Sequence, residues 1–218
     1  MIGILSLVQG GGGFVVNFVL LAPVMTVPPG FLANAAGSAL RVRASVLLGL
    51  ATGAVSLGIA IAAWPVFRRY SQRMALWFVA LSVVGYSLLA LENIFVLTML
   101  SLSQEYAKAS ATHELFETIG LMVRSARTSA HYTNLLIAGA MVFVLYSVLW
   151  RFALVPRAFA AFGLAAVPLQ IAAVLMPLFG YRIVFLLIVP LGLSQLALAL
   201  WLIAKGFEDR PQPIPAEA

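Results

Sequence analysis

Six stretches of this chain each run for about twenty residues with almost no charge, and that pattern limits the fold more than any other feature. They are Ile2–Val24, Ser45–Val66, Met74–Met99, Ala130–Trp150, Ala158–Leu178 and Ile183–Ile203. A helix rising about 1.5 Å per residue crosses the hydrocarbon of a bilayer in about 20 residues. In lipid the backbone has no water to bond, so runs of this length are satisfied only as helices. A transmembrane barrel would show alternating ten-residue segments, and none appears. The expectation is an all-α fold, a polytopic transmembrane helix bundle of six spans. Residues 1–206 form one domain, and 207–218 are expected to be a short disordered cytoplasmic tail.

Composition agrees. Of the 218 residues, 63% are apolar and 9% charged, and the mean hydropathy is +1.05. A soluble domain carries about a quarter charged residues. A soluble enzyme, a coiled coil and a nucleic-acid module are excluded. The net charge of +6 does not mark a nucleic-acid partner, because the basic residues lie between apolar runs and not on one face. The chain has no cysteine, which removes disulfides, thiolate metal sites and cysteine nucleophiles.

No Lys or Arg precedes Ile2, so the first span reads as an uncleaved helix and not as a signal peptide. Gly10–Gly13 inside it reads as a packing face or flexible point. Arg68, Arg69, Arg73, Arg151, Arg157, Lys205 and Arg210 fall on one side of a six-span chain. Arg41, Arg43, Lys108, Arg124, Arg127 and Arg182 fall on the other. The totals are nearly even, and the dense cluster Arg68–Arg73 sets the expected cytoplasmic side. Trp64, Trp77, Trp150 and Trp201 lie near the same ends, where aromatic belts form. Both termini are then cytoplasmic.

The connection before span four carries Leu115, Phe116, Ile119, Met122, Val123 and Ala126 at helical spacing. His113, Glu117, Gly120, Arg124, Arg127 and His131 fall within about 80° of one another on the other side. This predicts an amphipathic outer helix from about Thr112, lying on the outer leaflet or running into span four. Its polar stripe reads first as a wet face. A second reading takes His113 and Glu117, four apart, as ligands of a divalent ion, with Glu114 as general base. His131 is a third candidate ligand, if the helix bends or another copy supplies it.

Glu92 is the ionisable residue placed well inside a span, and such a group is costly in hydrocarbon. Asn93 follows it. His131, Tyr132 and Asn134 enter span four at similar depth, and Arg124 and Arg127 stand just above. The coincidence predicts a polar cluster that either locks spans three and four together or floors a pocket open to the outer leaflet. Gln170, Ser194 and Gln195, near Pro168 and Pro190, read as packing groups. Two histidines are the whole supply of axial imidazoles, and His113 lies too far outside the bundle for a bis-His haem; no phosphate loop is present. No cofactor is predicted.

The run Ala130-His131-Tyr132, the exit Leu149-Trp150-Arg151, the Pro156 joint and the last helix Leu196–Gly206 resemble the bacterial family called domain of unknown function 4386. The resemblance extends from the first span to Gly206. It implies a six-helix bacterial integral membrane protein and no activity; the expected location is the bacterial cytoplasmic membrane. His131 resembles a polar position at the start of the family's fourth helix.

The leading expectation is a non-enzymatic protein that binds or moves a small amphiphile or lipid through a pocket near the outer leaflet. Glu92, Asn93, Arg124, His131 and Asn134 are its candidate ligand-binding residues. Membrane lipids are the expected partners, and a homo-oligomer stays open. The alternatives are a metal-dependent membrane hydrolase using His113, Glu117 and His131, and a scaffold or partner subunit without a ligand.

Overall fold

A computed structural model describes residues 1–109 and 113–208. Among the described residues there is no strand. Six helices are long and apolar enough to cross a membrane. We label them α1 (Ile2–Thr26), α3 (Ala39–Tyr70), α4 (Gln72–Lys108), α5 (His113–Arg151), α6 (Arg157–Leu178) and α7 (Phe185–Ala204), with a short helix α2 (Phe31–Gly37) after the first. Helix α1 widens to a π-helix over Val15–Leu21, and α7 opens with a 3-10 turn at Phe185–Leu187.

Three helices outrun the expected spans. With 32, 37 and 39 residues, α3, α4 and α5 measure about 48, 56 and 58 Å, against about 30 Å of hydrocarbon. Hydropathy falls at their ends, but no proline or turn stops them, and helix growth beyond a formed segment is cheap. The chain from His113 runs unbroken into span four, so the segment expected there as an outer helix is the first part of α5. Thr112 lies outside the described residues, as do Asp209–Ala218 of the expected tail. Phe207 and Glu208 are docked: the Phe207 ring lies 6.0 Å from that of Phe67, and the Glu208 N–H donates to Leu154 O (2.8 Å).

The chain divides into two compact units. One takes Met1–Leu7, Leu57–Val83 and the chain from Leu136. Its core holds Phe67, Phe78, Tyr146, Leu149, Leu154 and Val167. Ser194 Oγ donates to Tyr146 Oη (2.7 Å), which satisfies both hydroxyls where no water reaches them. Gly163 lies against the Tyr146 ring so closely that a Cβ there would overlap it.

The other unit takes Val8–Ser56 and Val84–Leu135. Val16, Val24, Phe31, Val42, Val46, Val96 and Met99 form its core. Ser103, fully buried on α4, accepts from the Ala36 N–H (2.9 Å) and donates to Leu32 O (2.7 Å). One hydroxyl thereby fastens α2 onto α4. Gly53 gives room to Leu89 and Tyr86. The candidate site lies wholly within this unit.

Candidate functional site

Glu92 projects from α4 toward α5 and is 6% exposed. Arg127 Nη2 donates to its Oε1 at 2.7 Å, and His131 Nδ1 lies 3.1 Å from both carboxylate oxygens. Arg127 and His131 stand one turn apart on α5, so a single helix face presents both to one carboxylate. A carboxylate only accepts, so the His131 Nδ1 carries the hydrogen. Burying the three groups together follows from the cost of each alone: an unpaired charge out of water costs several kcal/mol, and a paired, hydrogen-bonded one far less. Arg127 Nε is buried without a partner, so the guanidinium keeps a donor unspent.

The remaining candidates divide. Asn93 is buried, but its Nδ2 donates to Leu89 O of its own helix (2.8 Å) and the side chain faces Gly49 of α3. Successive helical residues point about 100° apart, and this takes Asn93 away from Glu92. Arg124 stays exposed, one turn before Arg127. Asn134 is half-buried, one turn beyond His131. Of the five residues singled out, Glu92 and His131 meet, and the third member of their cluster is Arg127. Seven and four residues back from His131, Arg124 and Arg127 share a face, and only the axial register of α4 against α5 decides between them.

The alternative metal set is not assembled. His113, Glu114 and Glu117 are exposed, and the His113 ring packs edge-on against Tyr106 at 4.7 Å. His131 is engaged by Glu92, and it lies about 27 Å from His113 along an unbroken helix. Among the described residues no group of three or more metal-ligating side chains occurs.

An apolar cleft opens between the last part of α4 and the first part of α5. Thr98, Ser101, Leu102 and Glu105 line one wall, and Phe116, Ile119 and Val123 the other, around about 290 Å³. Its floor approaches the charge cluster, since Val123 precedes Arg127 by one turn, about 6 Å. At the far rim Glu105 pairs with Lys108 at 2.8 Å, fully in the open. The apolar residues expected on one face of this part of α5 therefore separate. Phe116, Ile119 and Val123 turn to the cleft, while Leu115 (60%) and Met122 (68%) remain exposed.

Six apolar helices, exposed hydrophobic side chains along most of their length and a buried charge cluster paired from within define a multi-pass α-helical membrane protein. The profile of the family described as Domain of unknown function (DUF4386) matches residues 1–206, and the chain belongs to that family. A search of the curated proteins found no match, and a search of the solved structures found none.

Proposed function

We propose that the protein binds, and passes along its α4–α5 face, a membrane amphiphile with an acidic head. The cleft carries this reading. Its walls are apolar and open, in the parts of α4 and α5 that continue beyond the spans, and an acyl chain gains by leaving water for such walls. One turn beyond the cleft lining Arg127 and His131 hold the Glu92 carboxylate, and Arg124 stands exposed one turn before Arg127, so bases outnumber the carboxylate there. An anionic head is therefore favoured there over a cationic one. Glu92 fixes the Arg127 guanidinium in place, and Arg127 and Arg124 supply the donors. The basic ends Arg68–Arg73, Arg151, Arg157 and Lys205 support an orientation with these in the cytoplasm, both termini inside and the cleft toward the outer leaflet of a bacterial inner membrane.

The test is binding of a fluorescent long-chain fatty acid to the purified protein. Ile119→Trp or Val123→Trp fills the cleft without touching the charge cluster. Excluding three methylenes at about 0.8 kcal/mol each weakens binding at least tenfold, on the order of fiftyfold if the chain lies as described. Equal affinity in wild type and both variants would sink the reading.

A further inference from the structure

Helix α7 carries an amide at a depth where the chain offers it no partner. Gln195 stands at the middle of the 20 residues Phe185–Ala204, so each end of the helix is about 14–15 Å away and water is out of reach. Gln170 and Ser194, read with it as packing groups, are buried, whereas Gln195 is exposed. Exposed polar side chains on other spans turn back on their own helix. Asn17 Nδ2 donates to Gly13 O (2.9 Å), Thr98 Oγ1 to Ile94 O (3.0 Å) and Thr133 Oγ1 to Ser129 O (2.8 Å). Among the described residues the Gln195 amide makes no such bond. An amide left unbonded in hydrocarbon is costly, so its donors and its acceptor need a group from outside this chain.

The surface around Gln195 admits a close neighbour. Gly192, one turn earlier, is exposed, and a Cβ there would meet nothing within 4 Å. Leu196, the next residue, is exposed too. The three positions fall within about 100° of one another on the helix. No Asp, Glu, Lys or Arg occurs between Phe185 and Ala204, so no charge repels a second helix of the same sequence. The nature of the neighbour follows from symmetry. Copies of one chain insert into a membrane with the same orientation, so a two-fold axis between two of them runs along the membrane normal. A residue on that axis meets itself at its own depth. An amide both donates and accepts, so an identical amide completes it, whereas a lipid tail offers neither group.

We propose that the α7 face of Gly192, Gln195 and Leu196 is an interface for a second copy of this chain. The two Gln195 side chains pair across the two-fold axis, and Gly192 lets the two helices come close enough for the amides to meet. This interface is independent of the α4–α5 cleft and of any ligand there.

The experiment is energy transfer between labelled copies in phosphatidylcholine vesicles, over a series of protein-to-lipid ratios. The chain has no cysteine, so Ala218→Cys gives a single site for donor and acceptor dyes. The labelled protein is expected to show transfer well above that of randomly placed monomers. Adding Gln195→Leu should weaken association about tenfold, and Gln195→Asn, with the amide on a shorter stem, should keep part of it. Gln195 bonds nothing in its own chain, so the melting temperature of dilute Gln195→Leu protein should not fall. A second readout locates the face. Leu196→Cys should cross-link to a dimer under mild oxidation, and Phe162→Cys, exposed on α6, should not. Random transfer in the parent protein, undiminished association of Gln195→Leu, or cross-linking through Phe162→Cys and not Leu196→Cys would overturn the proposal.

Discussion

Glu92→Leu is expected to destabilise the protein by about 3 kcal/mol, the cost of leaving a buried partner charge uncompensated. The variant removes the acceptor shared by Arg127 and His131, and Arg127 has little access to water, at 17% exposure. Arg127→Leu should cost a similar amount, because Glu92 keeps only His131. The double variant Glu92→Leu/Arg127→Leu should be nearer wild type than either single one. A well-packed apolar pair between α4 and α5 loses the ion pair and its desolvation penalty together. Unfolding of the four proteins in mixed micelles measures the cycle. Strict additivity of the two single effects would show that the charges do not meet as described.

Gly163→Ala should destabilise the protein by about 2–3 kcal/mol. The added Cβ runs into the ring of Tyr146, which is 1% exposed and tied to Ser194 through its hydroxyl. A ring held at its far end and packed on both sides cannot step aside, and a dense interior passes the strain to α6 and α5. Gly58→Ala and Gly192→Ala are the controls. A Cβ at either meets nothing within 4 Å, so both should stay within about 0.5 kcal/mol of wild type or gain slightly from helix propensity. Melting temperatures of the three variants compare them directly, and a Gly163→Ala protein as stable as the controls contradicts the packing of α6 on Tyr146.

The six membrane helices were legible in the sequence because an apolar run is a property of the chain alone. Their ends were less so. The polar continuations of α3, α4 and α5 lower the hydropathy without breaking the helix, so Gln104 reads as connection although it is helical. Glu92 was legible as a lone charge in an apolar run, and His131 followed from depth. The choice of Arg127 over Arg124 was not, because it depends on the axial register of two helices packed side by side. Asn93 fails by rotation: it shares the depth of Glu92 and points elsewhere. The apolar wall supplied by Thr98, Ser101 and Leu102 left no sequence signal, since on a spanning helix a residue facing a cleft and one facing lipid are drawn from the same alphabet. Gly163 is the same case, a small residue whose role appears only once Tyr146 is beside it.

The most direct measurement is a density map of the protein purified in its native lipid, without added detergent. The account predicts an elongated density in the α4–α5 cleft, its tail along Leu102, Phe116 and Ile119 and its head beside Arg124 and Arg127. An empty cleft in a map that resolves ordered lipid elsewhere on the same helices would contradict it.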